Sequence, residues 1–146
     1  MAKGFLSYHL PVKVSDVAAA ATSAVTAVVD LHEYPGAQEF VFLASFGTAA
    51  ADNTLKAGIG AASDSSDAAD LVGTSVGVGA SDEDVILSLR RPIGGRYLTV
   101  SALRGTSTTL ENLWMIVCGY DGASALASVS GTRKAESHVS PVAGTA

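Results

Sequence analysis

Two segments of this chain carry large apolar side chains on both faces of an extended backbone. In residues 39–46 (EFVFLASF), Phe40, Phe42, Ala44 and Phe46 fall on one side, and Val41 and Leu43 fall with Ser45 on the other. Residues 113–120 (LWMIVCGY) divide the same way, Leu113, Met115 and Val117 against Trp114, Ile116 and Cys118. A strand that is oily on both faces is a central strand, covered on each side by a second sheet or by a neighbouring subunit. That requirement restricts the chain to stacked sheets, because no recurrent amphipathic helices separate the strand-like segments as an α/β fold would need.

The remaining segments fit this reading. Residues 54–61 alternate Leu55, Ala57 and Ile59 against Thr54, Lys56, Gly58 and Gly60, the pattern of a half-exposed strand. Residues 63–70 form a polar loop containing Asp64, Asp67 and Asp70, and residues 71–78 read as a short irregular strand. Residues 85–91 and 96–103 alternate on either side of Pro92-Ile93-Gly94-Gly95 and read as a hairpin. His32–Ala37 (HEYPGA) is a turn, since Pro35-Gly36 supplies a fixed φ followed by a permissive residue. Residues 15–29 admit two readings. Ser15 and Asp16 either cap a short helix with Val17, Ala21, Val25 and Val28 on one face, or lead through a turn into a strand ending near Leu31. Residues 126–129 add a candidate edge strand. Taken together, about six to eight closely spaced strands predict an all-β antiparallel β-sandwich, jelly-roll-like or Greek-key. The expected organisation is residues 1–14 as an N-terminal arm or first strand, 15–130 as the sandwich domain and 131–146 as a flexible C-terminal tail.

Composition narrows the function. Of 146 residues, 48% are hydrophobic and only 16% charged, so part of the surface is expected to be buried between subunits. The net charge of -5 disfavours a surface that tracks phosphates, so no nucleic-acid partner is expected. Residues 17–31 are rich in Ala and Val, but Thr22, Ser23, Thr26 and Asp30 interrupt them, short of the about 18–20 consecutive apolar residues of a membrane helix. No membrane association and no secretory signal are expected, which places synthesis and assembly in a cytosolic compartment. The single Cys118 excludes an intrachain disulfide and reads as a buried thiol.

Candidate chemistry is sparse. His9 and His138 lie in terminal segments and His32 lies beside Glu33 in a turn, with no nucleophile placed to complete a triad. The chain has no G-x-S-x-G elbow, P-loop or dinucleotide fingerprint. Asp64, Asp67 and Asp70 lack the central glycine and terminal Glu of an EF-hand loop, and Asp82, Glu83 and Asp84 are adjacent residues that point in different directions. The expectation is therefore no catalytic, cofactor-binding or metal-binding residues, and a non-enzymatic protein. Trp114, inside an apolar run, is expected in the core. Arg90, Arg91, Arg96 and Arg104 are placed to pair with a neighbour's acids or to serve as ordinary rim charges.

The order EFVFLASFGT (39–48), TLKAGIGAASDSSDAADLVGTSV (54–76), IGGRYLTVSAL (93–103) and LWMIVCGY (113–120) resembles small virion proteins of tailed bacteriophages. The resemblance covers about half to two-thirds of the chain and rests on strand and turn patterns, with no active-site signature. It implies a head decoration, or cement, protein on the capsid surface, a virion component assembled in the host cytoplasm. Such a protein binds the major capsid protein between its subunits as a homo-oligomer, trimer or dimer, and strengthens the shell. A neck or tail component, or an exterior carbohydrate- or receptor-binding β-module, carries the same features. On this reading the interface residues are Phe5, Leu6 and Tyr8 as anchors of an arm, with Arg90, Arg91 and Arg96 setting orientation.

Overall fold

The computed structural model describes Phe5 and residues 8–120; Leu6 and residues 126–129 and 131–146 lie outside the described residues. Ten strands run β1 (His9–Ser15), β2 (Ala18–Ala21), β3 (Val25–Asp30), β4 (Glu39–Phe46), β5 (Thr54–Gly60), β6 (Ala69–Asp70), β7 (Val76–Gly77), β8 (Asp84–Arg90), β9 (Tyr97–Leu103) and β10 (Thr108–Cys118). They form two five-stranded antiparallel sheets. The first has the order β1-β10-β4-β8, with β2 continuing the β1 edge along β10, and the second has the order β3-β9-β5-β6, with β7 also on β5. Apart from the short β5–β6–β7 stretch, the chain changes sheet at each step from β2 to β10. This alternation, with the first strand at the edge of one sheet and the last strand paired beside it, is the double Greek key of a jelly roll.

The core is the space between the sheets. Phe40, Phe42, Ala44 and Phe46 of β4 face Leu98, Val100 and Ala102 of β9 and Leu55 and Ala57 of β5, all buried. Leu113, Met115 and Val117 of β10 and Val85, Leu87 and Leu89 of β8 complete the inner face of the first sheet. Each Val, Leu, Met or Phe side chain of this layer contributes about 1.5–3 kcal/mol on leaving water, so the layer drives folding. Strand β8 shows the period-two rule plainly, its residues alternating exposed and buried throughout.

Two expectations are corrected. Residues 85–91 and 96–103 are strands but not a hairpin: β8 pairs with β4 in one sheet and β9 with β3 and β5 in the other. Alternation and a glycine-rich turn report where the chain reverses, whereas which sheet receives the next strand depends on free edges elsewhere. Residues 71–78 contribute only the two-residue β7, preceded by the equally short β6. The ambiguous residues 15–29 hold the end of β1, β2, a turn and most of β3, with no helix. The Pro35-Gly36 turn forms as expected: Gly36 has φ +81° and the Ala37 N–H donates to Tyr34 O at 3.2 Å, the geometry of a type II turn.

Polar side chains close one end of the sandwich. Arg104, buried just after β9, donates from Nε to Ser23 O (2.7 Å), from Nη1 to Ala19 O (2.6 Å) and Thr108 O (3.0 Å), and from Nη2 to Ser23 Oγ (3.2 Å). It thus ties the β2–β3 turn to the start of β10. Asn53, fully buried, donates from Nδ2 to Thr48 O and accepts at Oδ1 from the Gly105 N–H, while its own carbonyl accepts from the Val78 N–H. Three loops therefore meet on one side chain and its backbone.

Candidate interaction face

Cross-strand register fixes what the first sheet shows on its outer side. Across β1, β10, β4 and β8 the outward residues form four rows: His9, Cys118, Glu39, Arg90; then Pro11, Ile116, Val41, Ser88; then Lys13, Trp114, Leu43, Ile86; and Asn112, Ser45, Asp84. The two middle rows are mostly apolar and the two end rows polar. Pro11, Val41, Leu43, Trp114 and Ile116 are half-buried and Ile86 is 61% exposed, so no second layer of the described chain covers them. A depression of about 490 Å³ runs over this surface between Pro11, Trp114 and Ile86. Apolar centre and polar rim together are the anatomy of a protein–protein interface.

Trp114 is the largest departure from expectation here. It is not in the core but half-exposed on this outer face, because Leu113, Met115 and Val117 took the inward positions of β10. A strand with apolar residues in both registers leaves the inward choice to its neighbours; β4 directs three phenylalanines inward, and the cross-strand pairing then sets β10. The rim is knit together by side-chain hydrogen bonds. Ser45 donates to Asp84, and Ser88 donates to Glu39. At Cys118, burial and then the nearby Glu39 carboxylate raise the thiol above its ordinary range, so it is a poor nucleophile at neutral pH.

The outer side of the second sheet differs in kind. Thr26, Ser101 and Lys56 form one row, Val28, Thr99 and Gly58 the next, and Asp30, Tyr97 and Gly60 the third. The loop after β5 folds over this sheet, with Ser65 and Ala68 lining a small cleft beside Lys56, Thr99 and Ser101. A side chain at position 60 would strike Asp67 and the backbone of Ala68, which explains the glycine there. The acidic loop is internally committed: Asp67 accepts from the Ala61 and Ala62 N–H groups, Asp64 from the Ser66 N–H, and Asp70 pairs with Lys56 at 2.8 Å. Backbone N–H donors from Ala62 and Ala61 hold the Asp67 carboxyl below its usual range, and hydrogen bonds from Ser66 do the same for Asp64. Asp82 accepts from the Gly79 N–H. Among the described residues no group of three or more His, Cys, Asp or Glu side chains is placed to hold a metal ion.

Of the described candidate interface residues, Phe5 and Tyr8 lie together, the Tyr8 N–H donating to Phe5 O at 3.1 Å, while Arg90, Arg91 and Arg96 each have different surroundings. Phe5 is half exposed and stacks on His9 with ring centroids 4.4 Å apart; Tyr8 is half exposed and its carbonyl accepts from the Tyr120 N–H. Arg91 points inward, donating to Tyr34 O and Leu31 O at 2.8 Å each, so it staples the end of β8 to the 3-10 turn at Leu31–Glu33. Arg96 forms a forked pair with Asp30 and lies 5.0 Å from the Tyr97 ring centroid. That Arg96 pair, with the His32 N–H, holds the Asp30 carboxyl down to about 2. The ion pairs among the described residues are Lys13–Asp16, Lys56–Asp70 and Arg96–Asp30; Arg90 is in none of them and stands exposed at the corner of the first sheet. Sequence reasoning missed Arg104 and Asn53 as buried hubs, since neither carries a local pattern that separates a buried polar residue from a loop one.

Compared with known proteins, the chain matches no protein-family model and no curated sequence. No helix among the described residues is long and apolar enough to cross a membrane.

Proposed function

We propose that this chain is a non-enzymatic structural protein of a tailed-bacteriophage particle, decorating the capsid surface and stabilising it by binding between subunits of the major capsid protein. The observation that carries this reading is the outer face of the first sheet, where six apolar side chains inside a hydrogen-bonded polar rim need a neighbouring protein in the particle, a capsid subunit or a second copy of this chain, to cover them. The jelly-roll sandwich supports it as well. One of its ends is locked by Arg104 and Asn53 and its acidic loop is tied back on itself, a compact unit suited to repetition over a shell. Many copies, each burying roughly 1,000 Å² or more against its neighbours, add up to cumulative resistance to internal pressure. Arg90 and the exposed Phe5 and Tyr8 are the contact candidates, while Arg91 and Arg96 act within the protomer. A neck or tail position uses the same contacts.

One observation favours a second reading, an exterior carbohydrate- or receptor-binding module: Trp114 is half-exposed on a sheet face. Its neighbours Leu43, Ile86 and Ile116 are aliphatic, however, and a sugar platform needs polar partners beside the ring. The test is cryo-electron microscopy of particles from cells that produce the protein. Density for this sandwich at regular positions between capsid subunits is the expected result. Particles that lack the protein, or that are equally heat-resistant with and without it, would refute the reading. Removal of residues 1–7 is the cleaner probe of the arm, because His9 and Leu10 already belong to β1.

A further inference from the structure

We infer that the outer face of the first sheet is covered by the same face of a second copy of this chain, about a two-fold axis lying between the sheets and perpendicular to their strands. The inference rests on the assembly reading only in requiring that this face be buried.

The register itself carries the argument. Val12, Met115, Phe42 and Leu87 lie on one cross-strand row and point inward, and the outward residues are disposed evenly on either side of that row. An axis over this row places each strand against its own copy, running in the opposite direction. Position 84 then meets position 90, 43 meets 41, and 114 meets 116. Asp84 of each copy thus lies against Arg90 of the other, twice per dimer, and Leu43, Trp114 and Ile86 fall onto Val41, Ile116 and Ser88. Arg90 has no ion pair within the described chain, and Asp84 uses Oδ1 to accept from Ser45, leaving its other oxygen for a partner.

The competing two-fold, parallel to the strands, sets β8 over the partner's β1. It stacks Arg90 on His9, with no carboxylate of the partner opposite the guanidinium, and sets Lys13, already paired with Asp16, over Ile86, with Asp84 two residues further along that strand. Charge complementarity therefore selects the perpendicular axis. Size is also adequate. Four strands about 4.8 Å apart, over seven residues at about 3.4 Å each, give two faces that together hide about 900 Å² of projected area. Side-chain relief raises the accessible area above that, past the about 1,000 Å² of a specific interface. Sheets packed face to face in this way are the arrangement already used inside each protomer.

The test is sedimentation equilibrium of the purified full chain and three variants, each checked for a native circular dichroism spectrum. The wild type is expected to be a dimer and Leu43→Glu a monomer. Arg90→Asp, which sets two acids against each other at both ends, is expected to weaken the dimer about tenfold or more, and the swap Arg90→Asp with Asp84→Arg to restore it. A monomeric or trimeric wild type, a Leu43→Glu dimer as tight as wild type, or a swap no tighter than Arg90→Asp alone would each overturn the inference. A monomer that still decorates particles refutes this inference and leaves the proposed function standing; a dimer absent from particles does the reverse.

Discussion

Replacing Arg104 by Met should be among the most damaging single changes in the molecule, although an arginine near a loop usually reads as a surface charge. Met keeps the unbranched stem and fills most of the volume, so the change isolates the guanidinium. In its place three backbone acceptors, Ala19 O, Ser23 O and Thr108 O, lose their charged donor in a site only 6% exposed. A buried acceptor left unpaired costs about 1–3 kcal/mol; Thr108 is buried, whereas Ala19 and Ser23 are exposed residues whose carbonyls water reaches in part once the guanidinium is gone. Release of the guanidinium from its desolvated site offsets part of that sum, leaving a net loss of about 2–3 kcal/mol. For a domain of this size the midpoint of thermal unfolding should fall by about 5–12 °C. Urea unfolding followed by Trp114 fluorescence and far-ultraviolet circular dichroism, at one protein concentration for all variants, reads the change with an unaltered m-value. Arg104→Lys retains the charge but not the fork, and should recover about half of the loss. A Met variant within about 1 kcal/mol of wild type would refute the argument, because it would mean that water reaches those carbonyls as easily as the guanidinium does.

The same reasoning applies to Asn53, where substitution by Ala strands the Gly105 N–H and Thr48 O and should cost about 2–4 kcal/mol in urea titrations. Asn53→Asp should do no better, since a carboxylate cannot donate to Thr48 O; near-wild-type stability of either variant would contradict the hub role. The Asp30–Arg96 pair predicts a pH signature. With the folded carboxyl held at about 2, below its unfolded value, its contribution is present above the unfolded value and lost as pH falls through about 2. The stability gap between wild type and Asp30→Asn should therefore be level near neutrality and close as the solution is acidified from about pH 4 towards 2. A gap independent of pH would show that the ionised pair does not carry it.

How far the sequence reaches is visible strand by strand. Residues 39–46 and 113–118 announce extended, centrally placed strands, because side chains alternate strictly along a strand and no helix accommodates that period. The Pro35-Gly36 turn is equally local, its φ values being properties of the two residues. Alternation does not say, however, which face of a doubly apolar strand points inward, and Trp114 was misplaced for that reason. The three phenylalanines of β4 claim the interior, and pairing through Trp114↔Leu43 leaves the tryptophan outside. The separation of β8 from β9 was likewise invisible, since a turn of four residues serves a hairpin or a crossing between sheets.

Local composition and periodicity thus determined that this chain is an antiparallel β-sandwich and where most of its strands run, because those signals are written within a few residues of one another. The tertiary structure alone decided the strand order, the buried duties of Arg91, Arg104 and Asn53, and the apolar outer face with Arg90 and Asp84 at its corners. Each of these depends on partners tens of residues away in the chain, where the energy of burial and pairing, not local preference, makes the choice.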